Sequence, residues 1–484
     1  MADAPGQTKV DEQSAEVAEM AAEWPMLEAL MGGTRKMREA GDKLLPRWPG
    51  EDQDSWTKRK ETATLFPAFR RTDSVMSGKP FAKEATLSDD APPEIQAWAE
   101  DIDREGVSLH AFAAEMLSEA LAYGLCGILV ESPKPTETGR PVATVAEQKA
   151  AGIRPYFVRV KHRQLLGWRC ETVDGARKLT QLRISECRCA PDGDFGSMDI
   201  PRVRVLEPGS WRVFEKLGTT GEEKWVVVES GVTTLDYIPF VPLYGQRTGL
   251  MCGVSPLLDL AYLNVKHWQS QSDQDTITHV ARVPILHAKG FADKEEITVG
   301  AQTAVRSQST EAELVYVEHT GAAIDAGSKS LADLEEQMIQ AGAELLVKTP
   351  GDRSATESAN DAEANKSDLQ RIVETFEDSL DAALQMMADY ATLPSGGNVT
   401  LYKDFGATTL SAATAQLITT WVASGMITKE TGVRELQRRG ELSPDIDPEV
   451  EIQAATDEAP VGLAPMTPPA DPNTPPEDKA ALAA

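Results

Sequence analysis

Cysteine and histidine side chains are the first candidates for metal binding or nucleophilic catalysis in this 484-residue chain. Cys187 and Cys189 are one residue apart, but no second cysteine pair accompanies them, as a structural zinc site would require. His267, His279 and His287 lack the His-Glu-x-x-His spacing of a metalloprotease. We therefore interpret the two thiols as ordinary strand positions and the three histidines as solvated or interface residues.

Carboxylates form the second candidate set. They fall on the polar faces of a helix predicted between residues 354 and 391, as is typical of a solvated surface: Asp361, Glu363, Asp368, Glu374, Glu377, Asp378 and Asp381. A two-metal nuclease would need several carboxylates that converge on one site, so a metal-dependent nuclease stays an alternative hypothesis. The segment 218–224 has the wrong length for a phosphate-binding loop, and no Gly-x-Ser-x-Gly elbow occurs. The sequence thus predicts no enzyme, no cofactor and no metal.

Composition limits the kinds of partner. Lysine and arginine number 48 against 76 aspartate and glutamate, a formal charge of −28, while 41% of the residues are hydrophobic. Such an acidic, foldable chain is a poor candidate for gripping nucleic acid by phosphate neutralisation, although it could surround DNA without holding it. The odd number of cysteines, five, favours a reducing cytoplasm, and no apolar run reaches the ~18 residues that a membrane helix needs.

The elements that must position these residues follow from periodicity. Apolar spacing predicts helices between Ser14 and Leu45 with a bend near Pro25, and alternating residues predict mostly antiparallel sheet over 155–244. Ser255 and Pro256 resemble the start of a helix that runs to about Val280. Its second half, residues 269–276, is almost wholly polar, which predicts exposure or hydrogen-bonded packing against copies of itself.

The second half of the chain is predicted to be mainly helical. Short strands at 284–286 and 314–317 enclose a small insert, and a helix at 330–347 follows. Ser354 and Glu357 have capping-box spacing for the long helix. Two further helices are expected at 410–423 and 429–439, before a proline-rich tail.

This order of elements resembles tailed-bacteriophage portal proteins, and in particular a portal-like family long catalogued as a phage domain of unknown function. The segments that carry the resemblance are 44–51, 55–71, 123–131, 238–245, 255–261 and 354–357. Each segment is weakly specific alone, and together they cover roughly residues 40–440.

The resemblance implies an α+β portal fold with a mixed α/β wing, a two-helix stem, a small αβ clip and a helical crown. Its expected parts are the wing 1–254, stem helices 255–280 and 330–347, clip 281–329, tunnel loop 348–357, long helix and wing return 358–407, crown 408–456 and disordered tail 457–484. Lys348 and Arg353 would touch DNA in the channel, although a plain surface pair is the alternative. Clip residues would meet the terminase or adaptor: Lys289, Lys294, Glu295, Glu296 and Arg306.

The function implied is a homo-oligomeric, dodecameric ring at the portal vertex of the virion, assembled in the host cytoplasm. Double-stranded DNA would be packaged through it by the terminase large subunit and later ejected. Tail adaptors and the major capsid and scaffolding proteins would be further partners, with no membrane. Another oligomeric head or tail component is the structural alternative.

Overall fold

The computed structural model describes part of the chain in detail. The described residues are 9–133, 153–217, 224–282, 285–289, 313–317, 321–343, 367–403, 422, 427–438 and 446–457. They form an α+β fold, as expected. Residues 1–403 make one compact unit and residues 404–484 a second.

The N-terminal helices are shorter than the sequence predicts. They are α1 (Ala15–Ala21), α2 (Trp24–Met31), α3 (Gly33–Ala40), α4 (Gln53–Thr62) and α5 (Ala68–Gly78). Pro25 does not bend a continuous helix; it lies in the first turn of α2, where its missing N–H costs nothing. A break at Gly33, with φ of +73°, then separates α2 from α3.

The centre of the first unit is a three-stranded antiparallel sheet in the order β3-β2-β9. Its strands are β2 (Leu125–Glu131), β3 (Tyr156–Val160) and β9 (Phe240–Tyr244). Helix α7 (Leu109–Tyr123) packs against β2 and β9, as does a later long helix. Residues on both faces of β2 are therefore buried from Leu125 through Val130. Two smaller elements precede α7, the strand β1 (Thr86–Leu87) and the helix α6 (Pro93–Ala99).

The predicted antiparallel block is a five-stranded meander in the order β4-β5-β6-β7-β8. The strands are β4 (Leu165–Val173), β5 (Ala176–Asp192), β6 (Gly196–Glu207), β7 (Ser210–Leu217) and β8 (Lys224–Val232). Asp174 and Gly175 both take positive φ, the conformation of a tight hairpin turn, as their residue types indicate. Apolar side chains of β4, β5 and β6 join those of the three-stranded sheet in one core. A small ribbon, β10 (Gln246–Gly249) and β11 (Cys252–Val254), leads to the next helix.

A helix–hairpin–helix module follows. It consists of α8 (Leu258–Ala281), the antiparallel strands β12 (Ile285–Lys289) and β13 (Glu313–Val317), and α9 (Ala322–Ala343). The predicted start of the second helix at residue 330 is wrong. The helix begins eight residues earlier, directly after Gly321 with φ of +77°, and its alanine-rich first turns carry no wide apolar stripe for periodicity to detect.

The long helix is α10 (Asp368–Ala391), whose apolar face packs on β2 and β9. The residues of its predicted capping box, Ser354 and Glu357, lie outside the described residues, and a capping box forms at Ser367 and Gln370. The Ser367 Oγ accepts from the Gln370 N–H, and the Gln370 side chain accepts from the Ser367 N–H. The chain then returns to pair β14 (Val399–Thr400) with β1.

The second unit contains α11 (Lys429–Arg438), close to its predicted bounds, and α12 (Pro448–Asp457), which the sequence analysis missed. Pro448 hides α12 from a search that treats proline as a helix stop, although proline is favoured in a first turn. The predicted tunnel loop 348–357, nearly all of the helix at 410–423, and the tail beyond residue 457 lie outside the described residues. None of the helices in the described part of the chain is long and apolar enough to cross a membrane.

Candidate functional site: the helix–hairpin–helix module and its anchor

The two long helices of the module pack closely against each other along their length. The Gln274 Nε2 of α8 donates to the carbonyl of Ile324 at 2.9 Å and to the Ser328 hydroxyl at 3.1 Å. A Cβ at Gly327 would collide with the Gln274 side chain, so glycine permits this approach. Leu331, Leu334 and Met338 form the buried stripe of α9, which packs against α8 and α5.

Several polar side chains of α8 find hydrogen-bond partners within the chain. Asn264 is fully buried, where its Oδ1 accepts from the Phe69 N–H at 3.0 Å and its Nδ2 donates to the Phe66 carbonyl at 2.8 Å. Farther along, Gln269 Nε2 donates to the Leu44 carbonyl at 3.0 Å. Part of this polarity is therefore used within the chain, a use that the expectation of exposure or packing against copies did not include. The pattern of polar residues in a single sequence shows that a helix face is polar. It cannot show which distant loop hydrogen-bonds to that face.

Arg59 of α4 anchors this end of α8. Its guanidinium makes a two-pronged pair with Glu51 at 2.8 Å, and both side chains are about 95% buried. It also donates to the Pro46 carbonyl at 2.9 Å and stacks over the Trp48 ring at 4.1 Å. On α8 it reaches Asp273, 3.6 Å away. A planar, forked cation suits these contacts, which an ammonium could not reproduce.

The electrostatics of the anchor follow from this geometry. Hydrogen bonds from Arg59 hold the pKa of Glu51 below its ordinary value. Burial raises the pKa of Asp273, and the charge of Arg59 opposes that rise. One cation thus contacts two carboxylates and holds the loop 44–51 against α8.

Sequence reasoning missed Arg59 as a positioning residue. A signal was present, since Trp56 and Arg59 are three residues apart on one helix face and both are buried. Arg59 lies in the segment 55–71 that carries the family resemblance, and an arginine is more often exposed than buried.

The hairpin at the end of the module pairs Ile285 with Val317 and Lys289 with Glu313. Lys289 is exposed, as an interface residue must be, while the other proposed clip residues lie outside the described ranges: Lys294, Glu295, Glu296 and Arg306. The two proposed channel residues, Lys348 and Arg353, lie outside them too.

His267 differs from the interpretation of a solvated or interface residue. Its side chain is buried in α8, and Nε2 lies 3.4 Å from Oε1 of Glu335 on α9. His279 and His287 are exposed, as expected. The described residues contain no group of three or more histidine, cysteine or carboxylate side chains that could hold a metal ion.

Two of the candidate carboxylates on α10 serve the fold. Glu377 is buried, contrary to the prediction of a solvated face; its Oε1 accepts from the Leu401 N–H at 2.6 Å, and its Oε2 from Lys403 Nζ at 2.7 Å. Asp381 accepts from the Val399 N–H at 2.6 Å. These hydrogen bonds hold residues 399–403 against α10.

Comparisons with known proteins bear on the same region. A family model described as a domain of unknown function, DUF4055, matches residues 256–391, from the start of the module to the end of α10. No curated protein matches the chain.

Solved structures that match the chain include chains from gene transfer agent particles. They include a chain from the neck of an empty particle computed with C6 symmetry, at 12% identity and a TM-score of 0.38, with 83% of this chain and 98% of that chain covered. Chains from a native virion and from a native neck computed with C12 symmetry both match at 12% identity and a TM-score of 0.37. Each match covers 82% of this chain, with 98% of the virion chain and 96% of the neck chain.

Proposed function

We propose that this chain is a structural component of a phage-type head–tail junction, and specifically a portal protein that forms a ring around double-stranded DNA. The observation that carries the proposal is the helix–hairpin–helix module, in which two packed helices of more than twenty residues present a hairpin at their far end. The portal resemblance assigns that arrangement to the stem and clip.

An exposed apolar side chain on the module supports assembly into a ring. Ile339 of α9 is 71% exposed, on a helix whose opposite stripe is buried against its own chain. A large aliphatic group in this position gains free energy when a neighbouring subunit covers it. Helix α9 therefore packs one apolar face against its own chain and leaves Ile339 available to contact another copy.

The charge of the chain supports a conduit in preference to a DNA-binding protein. A formal charge of −28 repels phosphate, so a channel wall of this composition would let DNA slide. A few basic groups such as Lys348 and Arg353 would make brief backbone contacts. The energy for packaging would come from a terminase, since the chain carries no phosphate-binding loop of the required sequence.

The proposed partners follow from the position of the hairpin. Lys289 and the segment 290–312 would contact the terminase large subunit during packaging and a tail adaptor afterwards. The capsid and scaffolding proteins would surround the wing at the portal vertex of the virion.

Native mass spectrometry with negative-stain class averages tests the proposal. Closed rings of about twelve copies with an axial hole are expected. A chain that stays monomeric or dimeric at high concentration, with scaffolding protein present, would contradict it.

A further inference from the structure

A two-stranded arm projects from the five-stranded sheet. Residues 187–192 of β5 and 196–201 of β6 pair with each other, from Cys187 with Pro201 to Asp192 with Gly196, and no other strand in the described ranges extends the ladder there. At its tip Phe195 is fully exposed, and Met198 close by is half exposed. A lone phenylalanine in water at the end of a rigid hairpin is an apolar anchor without a partner in the described structure.

The opposite end of the same sheet borders a cleft of about 780 Å³. Four aromatic residues line it: Trp98, Tyr156, Trp211 and Tyr390. Buried Leu206 and Val232, which is 86% exposed, contribute apolar surface. The charges at the cleft are largely paired, because Arg204 contacts Glu131 and Arg202 contacts Glu229.

The register of the strands separates the anchor from the cleft. Leu206 pairs with Trp211 beside the cleft, whereas Gly196 lies ten residues earlier on β6, next to the tip. At ~3.3 Å per residue the two ends are about 33 Å apart. Because one rigid sheet carries both, the arm of a chain cannot fill the cleft of that chain.

We propose that Phe195 of one copy inserts into the aromatic cleft of the next copy. An anchor at one end of a sheet and a pocket at the other make a heterologous, head-to-tail contact, which closes into a ring when the rotation permits. The exposed valines of the edge strand β8, Val226 and Val228, precede the cleft residues 229–232 on that strand and would pack along the incoming arm. Closure into a ring rests on the proposed function, whereas the pairwise contact does not.

Complementation between two variants tests the contact. Phe195→Ser removes the anchor and keeps the cleft. Val232→Glu keeps the anchor and places a negative charge in the cleft, where it would repel Asp192 and Asp194 at the tip of the incoming arm. Each variant alone is expected to self-associate at least about tenfold more weakly than the unmodified chain. A mixture of the two retains one intact anchor and one intact cleft, so native mass spectrometry should show heterodimers that grow no further.

The matched control is Val173→Ser, which changes an exposed apolar residue next to the β4–β5 turn of the same sheet. It should assemble as the unmodified chain does. Full assembly of Phe195→Ser, or a mixture that behaves like the separate variants, would overturn the inference. Heterodimers from the mixture without rings from the unmodified chain would sustain the contact and contradict the portal proposal. Rings that form equally well with Phe195→Ser would contradict the contact and sustain the portal proposal.

A photo-cross-linking residue, p-benzoylphenylalanine, in place of Phe195 identifies the occupant of the cleft directly. Cross-links to peptides that contain Trp98, Trp211 or Tyr390 of a second copy are expected. Cross-links only elsewhere, or none, would overturn the proposal. The proposal would also be overturned if residues 134–152 were found in the cleft, since Pro133 and Ile153, which flank that segment, line the cleft.

Discussion

At the scale of single residues, Arg59 of α4 links Glu51 of the loop 44–51 to Asp273 on α8 of the module. Replacing one partner of a buried ion pair leaves the other charge buried and unpaired, which costs about 3–5 kcal/mol. Arg59→Ala should therefore lower the free energy of unfolding by that amount in urea titrations, and Arg59→Lys by less, because lysine keeps the charge but loses the fork and the stacking on Trp48.

Arg35→Ala is the matched control for Arg59, because its pair with Glu39 lies on the surface and should change stability little. An equal effect of the two substitutions would contradict the anchoring role.

The buried pair of Arg59 and Glu51 also makes stability depend on pH. The pKa of Glu51 is lowered in the folded chain, so this stabilisation is complete above the ordinary pKa and is lost as the pH falls through the lowered value.

Asp73 should give the opposite pH dependence. It is buried between α5 and α7, where Ser118 donates to its Oδ2 at 2.6 Å, and burial raises its pKa to about 7. The folded chain then binds a proton more tightly than the unfolded chain does. This contribution to stability is complete below pH 4 and has been lost once the pH passes about 7.

Asp73→Asn should remove that slope. Urea titrations from pH 4 to pH 8 are expected to show the unmodified chain losing stability relative to the variant as the pH rises, by at least ~1 kcal/mol. Asp89→Asn, at an exposed position, should run parallel to the unmodified chain. Parallel curves for Asp73→Asn would show that its carboxyl does not titrate in this range.

At the scale of elements, α9 tests whether the module is an assembly surface. Ile339→Asp adds a charge to the exposed face without touching the buried stripe, so the monomer should unfold as before while ring formation falls at least about tenfold. Gln340→Asp, one residue farther along and also exposed, is the control and should assemble. Analytical ultracentrifugation of both variants separates the outcomes, and normal assembly of Ile339→Asp would remove this face from the interface.

Elements with strong internal periodicity were predictable. The helix α7, the hairpins of the five-stranded sheet and most of α10 follow from apolar spacing and from turn residues such as Asp174-Gly175. The start of α9 at Ala322 and the capping box at Ser367 were not, because alanine-rich turns and competing serine caps carry little periodic signal. The decisive contacts there come from distant residues.

At the scale of the whole molecule, the proposed conduit predicts a separation of assembly from DNA transport. Arg353→Glu replaces a cation of the proposed tunnel loop by an anion, so phosphate contact should be lost while the module stays unchanged. Rings should form normally, and packaging of DNA into capsids should fall. Ala355→Glu adds one negative charge to the same loop without removing a cation, so it controls for the added acidity and should leave packaging less affected. Unchanged packaging by Arg353→Glu would remove this residue from the mechanism.

The sequence by itself determined the α+β class, the antiparallel block and the polarity of α8, because those properties depend on residues that are neighbours in the chain. Tertiary structure decided how the polar groups are used. Asn264 meets residues 66 and 69, Arg59 meets Glu51 and Asp273, and Glu377 meets Leu401. A polar side chain can be satisfied by water or by hydrogen bonds within the protein, with a net difference of only about 1 kcal/mol per bond, so its residue type cannot tell the two apart. Only the folded chain shows which of them are buried, and it alone places Phe195 and the aromatic cleft at opposite ends of one sheet.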